Sequence, residues 1–75
     1  MEKFYRVSVS IAHLGGKEQV ADYYYKSLDK ANEHIGSYRI YNGYHVVKET
    51  EKTLLIRNDN WTEIFLQLTE CYFED

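Results

Sequence analysis

The chain has 75 residues, 44% of them hydrophobic and 28% charged, with a formal net charge of −3 and no proline. That length admits one hydrophobic core, so residues 1–75 read as a single domain, and the composition is that of a folded chain rather than a disordered one. The lone cysteine, Cys71, excludes an intramolecular disulfide and a thiolate-rich zinc site, and it points to a reducing, cytoplasmic compartment. The charge is uneven: residues 1–40 hold six basic and five acidic side chains, residues 41–75 three basic and seven acidic. A negative field of this kind disfavours phosphate-backbone binding and suits a basic protein partner or simple solubility. No apolar run reaches the ~18 residues of a membrane helix, and serine and charged residues interrupt the first segment before a secretory signal develops. Asn60-Trp61-Thr62 matches a glycosylation acceptor and, without such a signal, is read as chance.

From Phe4 to Ala12 the residues alternate. Tyr5, Val7, Val9 and Ile11 fall on one side and Arg6, Ser8 and Ser10 on the other, the period of a half-buried strand. Gly15-Gly16 supplies the positive-φ positions of a hairpin turn, and residues 17–26 return as a second strand. A two-residue loop would set Asp22 against Val9 on the apolar side. A loop one residue longer sets Ala21, Tyr23 and Tyr25 against Ile11, Val9 and Val7, which is the register expected.

Ser27 reads as an N-cap, with Asp29 in the first turn where its charge suits the helix dipole. Leu28, Ala31 and Ile35 make one apolar stripe, and Gly36 ends a helix of about two turns. Beyond it, Asn42-Gly43 is a two-residue hairpin signal flanked by Ile40, Tyr41, Tyr44 and Val46. Strands follow near 44–50 and 53–57. Residues 61–73 fit two periods: as a strand they offer Ile64, Leu66 and Leu68, and as a helix Trp61, Ile64, Phe65, Leu68 and Tyr72. Their aromatic and β-branched content and their place after a turn favour the strand. The expected fold is α+β: a small antiparallel sheet in the order β-β-α-β-β, with room for one more strand, and a single short helix packed on one face.

No catalytic constellation emerges. Cys71 lies between Glu70 and Tyr72 with no base in sight, so it reads as a half-buried small hydrophobe. His13, His34 and His45 fall near a turn, on the helix and on a strand, with no i, i+4 pair for a metal. The carboxylates lie on solvated strand faces, turns and the tail. Gly15-Gly16-Lys17 leads into a strand, so no helix N-terminus stands behind it to hold a phosphate. The chain is therefore read as non-enzymatic, without cofactor or metal.

The aromatic count is what stands out: eight tyrosines, three phenylalanines and one tryptophan. Tyrosine is amphipathic and loses little side-chain entropy when fixed, which suits protein interfaces and base stacking alike. Tyr5, Tyr23 and Tyr25 align with the apolar side of the first hairpin and read as core. Tyr24 points the other way, and Tyr38, Tyr41 and Tyr44 crowd the Asn42-Gly43 turn. With Trp61, these four form the expected partner-binding set. The leading expectation is a non-catalytic protein-interaction module. An exposed sheet face or edge strand makes a homodimer its variant, and single-stranded nucleic-acid binding through stacked tyrosines is the rival, provided cations converge beside Tyr24.

The acidic, tyrosine-rich composition, the first hairpin, the stretch Y-x-S-L-D-x-A over Tyr25 to Ala31 and the acidic C-terminus together resemble the small accessory proteins of Gram-positive phages and mobile elements, anti-CRISPR proteins among them. The resemblance implies a stoichiometric inhibitor that binds a host factor. It implies no particular site residue.

Overall fold

The computed structural model describes residues 2–13, 16 and 18–72. Its elements run β1 (Lys3–Ala12), β2 (Gln19–Tyr25), α1 (Leu28–Ser37), a 3-10 turn (Tyr38–Ile40), β3 (Tyr44–Glu49), β4 (Thr53–Asn58) and β5 (Glu63–Tyr72). The strands form one sheet in the order β2-β1-β5-β4-β3, antiparallel at every junction. The last strand is thus central: β5 pairs with β1 from Lys3↔Tyr72 to Ala12↔Glu63 and with β4 on its other side, joining two hairpins made earlier in the chain. The fifth strand extends the expected β-β-α-β-β order, and residues 63–72 are strand rather than helix.

Alternation decides which residues are buried. Val7 and Val9 of β1, Leu54 and Ile56 of β4, and Ile64, Leu66 and Leu68 of β5 point to one side, where Ala31 and Ile35 of α1 close over them with Tyr5. Complete burial of a side chain such as Leu54, Ile56 or Leu66 stabilises the fold by roughly 1.5–3 kcal/mol. The molecule measures 44 × 24 × 17 Å, a single sheet with one helix layer.

Ser27 caps α1 as expected: its backbone is extended and its Oγ accepts from the Lys30 amide. The helix then passes through Gly36, whose φ is not positive, and tightens into the 3-10 turn. Gly36 is therefore not the stop. Leu28 also departs from expectation, being 43% exposed at the first turn, so Ala31 and Ile35 alone carry the buried stripe.

Asn42-Gly43 does make a turn. Tyr44 N–H donates to Tyr41 O, and Gly43 has φ 86°. Only the second central residue is left-handed, the type II pattern, and the segment before it is 3-10 turn rather than strand. The turn feeds a single strand, β3, instead of closing a hairpin.

The first hairpin keeps the expected faces and shifts its register. Val9 pairs with Ala21, Val7 with Tyr23 and Tyr5 with Tyr25, two places from the expected partners. Such a shift preserves which side each residue faces because the side-chain period is two. It carries Tyr25 alongside α1, where its hydroxyl and His34 Nδ1 share a 2.6 Å hydrogen bond. Gly16 N–H donates to His13 O in this turn, while Gly15 and Lys17 lie outside the described residues.

Candidate interaction surface

The β4–β5 connection holds the most unusual backbone among the described residues. Asn58 organises it: its Oδ1 accepts from the amides of Asn60 and Thr62, its own amide donates to Thr62 O, and its carbonyl accepts from Trp61 N–H. This three-residue loop demands a left-handed residue at its end, where glycine is usual. Trp61 fills the position with φ 63°, the only positive φ outside glycine among the described residues. A bulky residue there costs on the order of 1–2 kcal/mol. Trp61 is 58% exposed, and its ring lies over the Arg57 guanidinium, 4.8 Å from ring centroid to Cζ. Glu63 Oε2 accepts from that guanidinium through Nε at 2.9 Å and Nη2 at 2.5 Å.

Arg57 belongs to the sheet face that α1 leaves uncovered. Register gives that face in rows across the strands. Val20, Ser10, Phe65, Leu55 and Lys48 form one row, and Asp22, Ser8, Gln67 and Thr53 the next. Tyr24, Arg6 and Thr69 form a third. Phe65 and Val20 are exposed and Leu55 is half-buried, so the Trp61–Arg57 pair borders an apolar row. Tyr24 sits at the other end of the same face, against Phe4 at 5.9 Å between centroids and roughly 13 Å along β1 from the apolar row. Between the two ends the face is polar: Ser8 Oγ donates to Asp22, and the buried Nε of Arg6 makes no hydrogen bond.

The remaining tyrosines lie on the covered side. Tyr38 stacks on Tyr41 at 5.2 Å and Tyr41 approaches Tyr44 at 5.2 Å, while His34 links Tyr38 to Tyr25 and Tyr23. Tyr25, Tyr38 and Tyr44 pack half-buried against the core. Burial, followed by the neighbouring Tyr23 and Tyr41 hydroxyls, pushes the Tyr38 phenol above its ordinary pKa. Tyr23, expected in the core, is 42% exposed because β2 lies at the sheet edge. The expected set Tyr24, Tyr38, Tyr41, Tyr44 and Trp61 is therefore split: Tyr24 and the Trp61–Arg57 pair mark the two ends of the open face, and the other three form a separate stack. Arg57, Leu55 and Phe65 complete the open-face site. Their signal was in the sequence, since alternation sets them opposite Ile56 and Ile64.

Three of the seven acidic side chains of the second half form ion pairs among the described residues. Glu49 pairs with Arg39, Glu63 with Arg57 and Glu70 with Lys3 at 3.0 Å. The hydrogen bond from Lys3, then that from Tyr72, lowers the Glu70 carboxyl pKa, and the same contacts raise those of Lys3 and Tyr72. Of the cations expected to converge beside Tyr24, Arg6 stands directly opposite it and Lys26 borders the same hollow. Lys3 and Arg39 turn away to their carboxylates, Lys30 lies on α1, and Lys17 lies outside the described residues. Among the described residues no three His, Cys, Asp or Glu side chains group as metal ligands, and no helix is long and apolar enough to cross a membrane. No family model, curated protein or solved structure matches the chain.

Proposed function

We propose that the protein is a non-catalytic protein-interaction module that binds through its uncovered sheet face. The observation that carries this reading is Trp61: a strained, exposed aromatic laid on Arg57 beside Leu55 and Phe65. For folding, the stacking on Arg57 offsets only part of the strain that glycine would avoid at this position. Tryptophan and arginine are also the side chains that contribute most per residue to protein interfaces. The complementary partner surface is apolar opposite Phe65 and Leu55, with hydrogen-bond acceptors opposite Arg6. The likeness to phage and mobile-element accessory proteins supports stoichiometric inhibition of a host factor as the form this binding takes.

Affinity capture from the cells that produce the protein tests the reading. A partner retained by the wild type and by Tyr41→Ala, and lost with Trp61→Ala/Phe65→Thr, is the expected result. Identical capture profiles for all three proteins would overturn it. Single-stranded nucleic-acid binding is a second reading, favoured by the placement of Phe4, Tyr24 and Phe65 among Arg6, Lys48 and Arg57 on one face. Loss of the captured species on nuclease treatment would select it.

A further inference from the structure

The two edges of the sheet are built differently. β3 carries a register shift between Val46 and Lys48, with Lys48 and Glu49 beside it, devices that discourage another strand from pairing there. β2 has none of them. Its residues Gln19–Tyr25 pair regularly with β1 and include no lysine or proline. Its one charge, Asp22, is held by the Ser8 hydroxyl at 2.8 Å. Six of its seven residues are exposed, so a row of backbone N–H and C=O groups and the flank of Tyr23 face solvent together.

We propose that a second copy of this chain pairs antiparallel along β2, joining two sheets into one. The surface is distinct from the open face, so the inference does not depend on the binding role of Trp61. A two-fold axis normal to the sheet sets one residue of β2 against its own copy. An axis at Asp22 would oppose two carboxylates, whereas an axis at Tyr23 opposes two phenol rings. In the Tyr23 register Tyr24 meets Asp22 of the second copy and Tyr25 meets its Ala21, with no like charges facing. The helices reinforce the choice. Lys30, Glu33, His34 and Ser37 border one hollow with Tyr25, on the β2 side of α1, while Leu28 and Asn32 lie toward Leu68 of β5. Because α1 lies over β1 and β2, strand spacing puts the two helices roughly 10–14 Å apart, within reach of long side chains. The two-fold through Tyr23, whose ring lies 4.7 Å from that of His34, then brings the α1 surfaces that carry Lys30, Glu33 and His34 toward each other, and they hold both signs of charge.

Sedimentation equilibrium over a wide concentration range reads the association directly. The wild type is expected to shift from monomer to dimer, and Tyr23→Lys, which sets two ammonium groups across the axis, to remain monomeric while still melting in a single cooperative transition. Val47→Lys on the β3 edge and Trp61→Ala/Phe65→Thr on the open face should dimerise as the wild type does. Hydrogen exchange on the unmodified protein gives a readout that does not rely on a variant folding: the outward amides of β2 should gain protection as concentration rises. A wild type that stays monomeric throughout, with those amides exchanging freely, would overturn the proposal, as would dimerisation that Tyr23→Lys leaves intact.

Discussion

The covered and open faces of the sheet are drawn from the same strands, one residue apart, yet they do different things. On the covered side Val7, Leu54, Ile56 and Leu66 are sealed beneath α1. On the open side their neighbours Leu55 and Phe65 remain reachable, bordered by a tryptophan in a conformation it adopts at a cost. One helix of ten residues lies over β1 and β2 and, with the 3-10 turn against β3 and β4, covers one face of the sheet. The difference teaches that an aromatic surplus in a small sheet protein divides by face before it divides by residue type. Tyr25, Tyr38 and Tyr44 serve the core, and Tyr24 and Trp61 do not.

The widest contrast lies between adjacent residues. Leu66→Ala should cost about 2–5 kcal/mol by leaving a cavity, while Phe65→Ala should cost under about 1 kcal/mol. Denaturant titrations compare the two directly, and similar losses would erase the distinction between faces. The tyrosine run repeats the contrast on a smaller scale: Tyr25→Ala, which also breaks the bond to His34, should cost about 1–3 kcal/mol and Tyr24→Ala under about 1 kcal/mol. A smaller change of opposite sign is expected at the rim. Trp61→Gly relieves roughly 1–2 kcal/mol of backbone strain and forfeits roughly 0.5–1 kcal/mol of stacking on Arg57, so thermal melts should show a stabilisation of up to about 1.5 kcal/mol. The same variant should lose the partner, which would separate binding from folding.

The smallest effect is in pH. Tyr38 and Tyr72 ionise less readily in the fold than at their ordinary value of 10.0, through burial and through the Glu70 hydrogen bond respectively, and Lys3 holds its proton above 10.5. Raised folded-state values stabilise below the unfolded value and lose that contribution as pH climbs. Melting temperature should therefore decline from about pH 10 upward, and Tyr38→Phe should blunt the decline. An unblunted curve would leave Tyr72 and Lys3 as the groups that carry the alkaline sensitivity.

Much of this organisation is legible in the order of residues. Strand alternation in β1, the Ser27 cap and the inward Ile64, Leu66 and Leu68 are local patterns, each expressed within a few residues of backbone. The open face was equally legible in principle, since Leu55 and Phe65 stand opposite Ile56 and Ile64. What it lacked was a statement of which face the helix would cover. The turn before β3 and the left-handed Trp61 were harder to see. Asn42-Gly43 suits several turn types, and no local rule expects tryptophan where Asn58 bends the chain back.

By itself, then, the sequence determined the strands, the helix start and the two-sided character of each strand, because those depend on neighbours one to four residues away. Only the tertiary structure decided that β5 would enter between β1 and β4. That insertion leaves β2 and β3 as edges, exposes Tyr23, and brings Trp61, Arg57 and Phe65 to one end of an uncovered face. Those outcomes rest on pairings between residues as distant as Lys3 and Tyr72, which form when the whole apolar side closes at once.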